Sequence, residues 1–389
     1  FTFVLCFFHF SSIQVVDLGC ADCSLLRKMK FQQCVEELVG IDINQQVIRE
    51  NMYLLSPLPC DYLNPRIRPL VIKLYQGSLI EKDPCVKNFD MASCIEVIEH
   101  LELSMLEAFS NVVFGYMTPH TIVISTPNAD FNQLLLGLTG FRDRDHKFEW
   151  TKTEFQNWAL DICVRYEYSV TFAGVGSGPA GTEDVGFCTQ IAIFTRMPAR
   201  NDRWPNSNAD CDDIHSYKLL HEVKYPSYCD KNIFENALIN EMTYWTEKIK
   251  KHFLNSTEQG DTKNNVQHDQ ESNEDVSWCS RSMEKHCVNW SVCKSADGYL
   301  EVQKHGDTIH IPLDQLFTIL EVKKICSSVV RLKEALLEIE QFEIAGDNLV
   351  VYYCGQKQVK IKADFQNDML LITLNFKYFS LIHIKVSSK

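Results

Sequence analysis

Short apolar runs alternate with helix-like stretches from Ile13 to Arg196. VVDLG (15–19) reads as a buried strand, followed by a helix through Leu25, Leu26 and Met29. LVGIDI (38–43) is a second strand, and a helix follows from Gln45 to Leu54. VIKLY (71–75), DMASCI (90–95) and TIVIST (121–126) are three more strands. Runs this short and this apolar suit strands covered on both faces. Thr151-x-x-Glu154 is a capping box and predicts a helix through Phe155, Trp158 and Ala159. YEYSVTF (166–172) and TQIAIF (189–194) close the series. This alternation predicts an α/β fold with a mostly parallel sheet and helices on both faces. The last two strands lie close together in sequence, which predicts a partly antiparallel edge.

The pattern changes after residue 200. IFENALINEMTYWTEKI carries apolar residues at 234, 238, 242, 245 and 249, one face of a helix, so 201–254 reads as a helical extension to a domain spanning 13–200. The stretch 255–276 holds two Val and no aromatic residue. It has too little apolar surface to offset chain entropy, so 255–277 is expected to be a disordered linker. Residues 278–389 form a C-terminal region of uncertain fold, with IHIPLDQLFTIL followed by β-rich text. The apolar run at 369–384 is short for a membrane span and is broken by Asn and Lys, so it reads as a strand pair or as a poorly determined terminus.

Charge narrows the classes. With 38 Lys and Arg against 51 Asp and Glu, the net charge is −13. A generic basic nucleic-acid binder is disfavoured, whereas an enzyme with a local basic groove is not. The 16 cysteines are scattered through apolar segments, the usage of a reducing compartment. Cys20-x-x-Cys23 lacks a second pair at zinc spacing, which leaves a zinc or redox role as a minor alternative. Residues 1–12 are atypical: FTFVLCFFHF starts without Met and has neither a basic n-region nor a cleavage site. The expectation is a fragment start or a gene-model artefact, with a membrane anchor as the alternative.

Two groups of residues carry chemistry. In VVDLGCADC, Asp17 and Gly19 sit on a strand-to-helix turn of the kind that approaches a ligand at the C-terminal edge of a parallel sheet. It is neither a GxGxxG fingerprint nor a Walker loop. Asp42 ends the second strand, where an acid suits ribose hydroxyls, and Gly77-Ser78 ends the third. That order suits S-adenosylmethionine; NAD, or plain βα turns, are the competing readings. In CIEVIEHLEL (94–103), Glu96, Glu99 and His100 stand at helical spacing, on one face if the stretch is helical. FRDRDHKFEWT (141–151) adds His146 in a loop at the same sheet edge. Two carboxylates and two imidazoles make a four-ligand metal site. The alternative is a helix start whose acidic residues favour the macrodipole.

VVDLGC, GIDIN, YQGSL, CIEVIEHLE, VVFGYMTP, VISTPNADFN, DHKFEWTKTEFQNWA and GFCTQIAIF together resemble the HEN family of small-RNA 2′-O-methyltransferases. Within it they are most similar to the animal branch that methylates the 3′ ends of Piwi-interacting RNAs. The resemblance spans about Val15 to Phe194, and runs more weakly through SYKLLHEVKYPSY and IPLDQLFTIL. It implies a class I S-adenosylmethionine-dependent methyltransferase fold and a Mg²⁺- or Mn²⁺-dependent enzyme. Its metal ligands fall on Glu96, Glu99, His100 and His146. Its cofactor contacts fall on the Asp17–Cys23 turn (Asp17, Gly19, Asp22 and Cys23), on Asp42 and on Ser78. The partner implied is the 3′ end of a small single-stranded RNA, presented by a Piwi or Argonaute protein to a cytoplasmic, germ-granule-associated monomer with no membrane attachment.

Two positions depart from the family pattern. The first turn is usually GCGD, whereas Ala21 holds the third place here, so Ala21 is expected to keep φ below zero. An aromatic and basic segment of the type PPLYxQRY precedes the first strand in the family, and FTFVLCFFHFSSIQ stands there in this chain. Among the ligands, imidazole suits Mn²⁺ better than Mg²⁺, and His100 or His146 is alternatively a general base. Two rival functions remain at this point: a small-molecule O-methyltransferase of the quinone-precursor type, which would not need the His146 loop, and a non-catalytic RNA-binding or scaffold protein.

Overall fold

The apolar runs assemble into one eight-stranded sheet. Its strands are β1 (Ile13–Leu18), β2 (Val35–Asp42), β3 (Leu70–Gln76), β4 (Met91–Ile95), β5 (Thr121–Pro127), β6 (Tyr168–Ser177), β7 (Phe187–Arg196) and β8 (Lys218–Tyr225). The computed structural model describes residues 13–198, 216–260, 294–295, 298–299 and 302–352. The spatial order is β6-β7-β5-β4-β1-β2-β3-β8. Strands β1 to β5 run parallel. β7 pairs antiparallel with β5, and β6 with β7, which is the edge expected from their short separation.

Alternate residues of each strand enter opposite cores. Val16, Val39, Ala92 and Ile122 pack with Phe109 of α4 (Leu106–Ser110) and with Phe155 and Ala159 of α5 (Lys152–Tyr166). Val15, Leu38, Leu70 and Ile72 pack with Leu26 and Met29 of α1 (Ser24–Met29) and Ile48 of α2 (Gln45–Asn51). A third short helix, α3, covers Pro59–Leu63. The capping box at the head of α5 is formed: the Thr151 hydroxyl accepts from the Glu154 N–H, and the Glu154 carboxylate accepts from the Thr151 N–H at 2.8 Å. Strand order reverses between β1 and β4, so the crevice beyond their carboxyl ends is where such a sheet takes a ligand.

The sheet reaches further along the chain than the sequence pattern suggested. β8 lies beyond residue 200, inside the stretch read as a helical extension, and pairs antiparallel with β3. Its sequence KLLHEVKY has no buried run, only Tyr225 being buried, because it is an edge strand. The expected helix follows as α6 (Lys231–Gly260). It continues past residue 255, into the segment expected to be disordered; 261–277 lies outside the described residues. So do residues 1–12 and the apolar run at 369–384.

The chain divides into two compact units, the first reaching to Glu247 and also including Leu316–Leu332. The second unit contains a four-stranded antiparallel sheet in the order Gln303–His305, Thr308–Pro312, Asn348–Tyr352, Glu343–Ala345. Among the described residues no helix is long and apolar enough to cross a membrane.

Candidate active site

β1 ends in Asp17 and Leu18, and the chain then turns sharply through Gly19 at φ 80°. A side chain at Gly19 would meet the Val97 methyl at 2.5 Å, so this turn and the turn after β4 touch across the crevice. Ala21 adopts φ 41° and Cys23 φ 61°. The expectation that Ala21 keeps φ below zero is therefore overturned. The cause is Asp42 at the end of β2, whose Oδ2 accepts the Ala21 N–H at 2.9 Å and curls the turn. Asp42 Oδ1 accepts the Asn44 N–H at 2.8 Å. A carboxylate has roughly four acceptor sites, so Asp42 braces both turns and can still take a ribose hydroxyl.

Asp17 is buried, and Ser93 of β4 donates to its Oδ1 at 2.6 Å. Burial pushes its carboxyl from 3.8 up to about 7, against the Ser93 hydrogen bond. The other predicted cofactor residues have local duties. Asp22 accepts from the Ser24 N–H and hydroxyl at the head of α1. The Cys23 side chain is fully buried, so only its backbone faces the turn. Cys20 and Cys23 are both unbridged, and the hydrogen bond from Cys23, with burial, pushes the Cys20 thiol far above its ordinary range. Ser78 follows Gly77, whose Cα lies under the Tyr217 ring; a Cβ there would fall 2.2 Å from the ring. The Tyr217 hydroxyl donates to the Ser78 and Glu81 carbonyls at 3.2 and 3.0 Å. Tyr217 was not legible as a site residue, since 139 positions separate it from Ser78.

The metal candidates converge, though not as a helix face. β4 stops at Ile95, Glu96 sits in the left-handed region at φ 54°, and only Ile98–His100 forms a helical turn, of the 3₁₀ kind. The Glu96 N–H donates to the Ser125 carbonyl of β5 at 3.1 Å, which ties the reversed residue to the sheet. Glu99, His100 and His146 then bring one ligand atom each to within 4.8 Å of one another. Glu96 stands beside them but outside that trio, its Oε1 accepting from the Ser125 hydroxyl at 2.7 Å. Burial raises the Glu96 carboxyl; the Ser125 hydrogen bond and then Arg142, His146 and His100 oppose the rise.

Glu99 is wholly buried. Its Oε2 accepts from Thr126 at 3.0 Å, while Oε1 has no hydrogen-bond partner among the described residues. Burial pushes this carboxyl to about 8, and the neighbouring Glu96 adds to the rise. A buried carboxylate oxygen without a donor is costly and rare. A cation shared with the two imidazoles would satisfy it, so the residues present fit a divalent ion. His146 Nδ1 lies 2.6 Å from Glu149 Oε1. Burial pushes the Glu149 carboxyl up, but hydrogen bonds from the Arg142 N–H, Asn132 and His146 hold it below the usual range. An ionised Glu149 accepts a hydrogen bond from the Nδ1–H, which leaves Nε2 as the free ligand atom, the usual support of a metal-binding imidazole. The two imidazole rings stand edge to face, 4.9 Å apart.

The loop carrying His146 is fixed by Arg142. Its guanidinium donates to Asn132 Oδ1 at 2.6 Å, the Asn128 carbonyl at 2.6 Å and the Cys188 carbonyl at 2.9 Å. Asn128, itself buried, donates to the Val185 and Phe187 carbonyls and so binds in the β6–β7 connection. Thr126, Ser125, Arg142 and Glu149 are the supports that sequence reading missed. Arg142 and Glu149 lay within the quoted motif, and their acid and base at i and i+7 around a histidine were the available signal.

Two family models match the chain: one described as "Methyltransferase domain" over residues 2–162, and one described as "HENMT1 C-terminal domain" over residues 232–353. Among curated proteins, the chain is 44% identical over 329 residues to "Small RNA 2′-O-methyltransferase" of Gallus gallus, covering 81% of this chain and 82% of that one. It is 38% identical over 325 residues to the protein of the same name from Xenopus tropicalis, covering 82% and 85%. Among solved structures it is similar to "Crystal structure of small RNA methyltransferase HEN1", at 32% identity and a TM-score of 0.48. That match covers 57% of this chain and 27% of the longer one.

Proposed function

The chain belongs to the small RNA 2′-O-methyltransferase family, and from that premise we propose that it methylates the 2′-hydroxyl of the 3′-terminal ribose of small single-stranded RNAs, with a divalent cation at Glu99, His100 and His146. It is an S-adenosylmethionine-dependent enzyme acting on small RNA. The observation that carries the finer reading is Glu99: buried, with one oxygen lacking a donor among the described residues, and beside two imidazoles.

The chain's own groups divide the work. Asp17, Gly19 and Asp42, with the backbone of Asp22 and Cys23 and the Ser78 turn, hold S-adenosylmethionine. Glu99, His100 and His146 hold the cation, with Glu96 set beside them by Ser125. When bound, such a cation lowers the pKa of a hydroxyl next to it and stabilises developing negative charge. Glu149 keeps His146 in the tautomer that offers Nε2. Val97 packs against Gly19 and holds the cofactor turn close to the turn that carries Glu96 and Glu99. The 2′-hydroxyl gives its proton to solvent water, its oxygen attacks the methyl carbon, and the electron pair of the carbon–sulfur bond leaves with sulfur as the neutral thioether. Mn²⁺ suits the two imidazoles better than Mg²⁺ does. The motif resemblance to the animal branch is what motivates the further proposal that the substrates are Piwi-interacting RNAs, delivered by a Piwi protein to a cytoplasmic monomer.

The test is transfer of labelled methyl from S-adenosylmethionine to a small RNA, with Mn²⁺ or with chelator. Label confined to the last nucleotide, lost with chelator and absent from a 2′-deoxy end, is expected. Label at internal positions, or full activity after rigorous chelation and dialysis, would overturn the reading.

A further inference from the structure

We infer that Lys147 is a substrate-positioning residue whose ammonium engages the phosphodiester joining the terminal nucleoside to its 5′ neighbour. The inference rests on the terminal-ribose reading above. The Lys147 N–H donates to the Glu99 carbonyl at 2.7 Å, so the root of this side chain is clamped to the residue at the centre of the trio. The side chain itself is exposed, and no hydrogen bond or ion pair among the described residues engages it.

The other cation fixed in this loop, Arg142, is committed to Asn132, Asn128 and Cys188 and cannot turn to a ligand. Arg144 is exposed, but it lies between the exposed acids Asp143 and Asp145. The exposed Asp143 and Asp145 flank the way to the cluster, on a molecule whose net charge is −13. A polyanion reaching the cluster therefore meets repulsion unless a cation stands where its first phosphate arrives. A terminal ribose with its hydroxyls at the trio puts that phosphate only a few bonds away. A lysine on a four-carbon stem can reach it from a fixed root, as a point charge that reads no base.

Steady-state methylation of a small RNA would be measured for the full chain, for Lys147→Gln and for Lys147→Arg over a series of salt concentrations. Lys147→Gln is expected to raise KM for RNA about tenfold, the cost of one charged hydrogen bond, with kcat, thermal stability and S-adenosylmethionine affinity nearly unchanged. The slope of log KM against log salt should fall by about 0.7, the share of one phosphate on a single strand. Lys147→Arg should restore both. A neutral methylphosphonate at the last linkage should cost the parent enzyme the same factor and cost Lys147→Gln nothing more. An unchanged KM and slope in Lys147→Gln, or an additive methylphosphonate effect, would overturn the inference. A parent enzyme that methylates no RNA terminus would instead sink the functional reading on which it rests.

Discussion

His146 and Asp17 show how much one side chain's surroundings decide. His146 meets Glu99 only through the fold, and Glu149 sets its tautomer. His146→Ala removes one of two imidazoles from the trio and touches none of the cofactor turns. Methyl transfer should be abolished while calorimetry with S-adenosylmethionine gives a nearly parental Kd; normal turnover would remove His146 from the site. Asp17 makes a pH prediction. Its folded carboxyl lies at about 7 against an ordinary 3.8. The folded state thus holds a proton that the unfolded chain has already released, so stability is greatest below the unfolded value and falls as pH rises through the folded one. The full difference is roughly 4 kcal/mol at most, by 1.36 kcal/mol per unit. Denaturant unfolding on either side of that window should show Asp17→Asn with a flatter pH dependence than the parent. Equal pH slopes would mean that Asp17 is already ionised in the folded chain.

Elements were legible where burial is two-sided and less so where a turn departs from regular geometry. The five parallel strands and the cap of α5 follow directly from apolar runs and from Thr151-x-x-Glu154. β8 was hidden because an edge strand needs no apolar run. The Glu96 turn was hidden because i, i+3, i+4 spacing also fits a chain that reverses at positive φ before a single 3₁₀ turn. The four proposed ligands could be listed from sequence, but of their supports only Arg142 and Glu149 left a signal, inside the His146 motif. Ser125 and Thr126 look like ordinary strand residues until the sheet brings β4 and β5 together. The first turn carries a testable strain. Ala21 at φ 41° pays for a conformation that costs an L-residue about 1–2 kcal/mol. Glycine returns part of that to unfolded-chain entropy. Ala21→Gly should therefore stabilise the protein by up to about 1 kcal/mol, read as a rise in Tm, and should leave the Asp42 contact in place. A lower Tm would show that the alanine methyl packs more usefully than its backbone is strained.

For the molecule as a whole, the charge balance and the site point the same way. A net charge of −13 disfavours holding RNA by diffuse attraction along the whole surface, which agrees with the proposal that recognition is concentrated at the terminus. The cluster that would receive the terminus is compact: Glu99 is wholly buried and the His146 side chain is 7% exposed, so the approach is from the side of exposed His100. An internal nucleotide carries a further phosphate on its 3′ oxygen. That phosphate leaves no free 3′-hydroxyl and needs room beside the wholly buried Glu99, and a 3′-phosphorylated end should be refused for the same reason. A 3′-deoxy end is the sharper probe. It keeps the attacking 2′ oxygen and adds no charge, but it loses one of the two hydroxyls that aim the sugar. Misplacement of a reacting group by about an ångström can cost on the order of a hundredfold in rate. Base identity at the terminus should matter far less, because the groups proposed here engage the sugar and its phosphate rather than a base edge. Oligonucleotides differing only in the last sugar or the last base would be compared in competition with excess Mn²⁺. The expected order is diol far above 3′-deoxy, with 3′-phosphate inert and the four diol bases close together. If the 3′-deoxy RNA keeps pace with the diol, the second hydroxyl does not position the first, and discrimination against internal sites must come from the excluded phosphate alone.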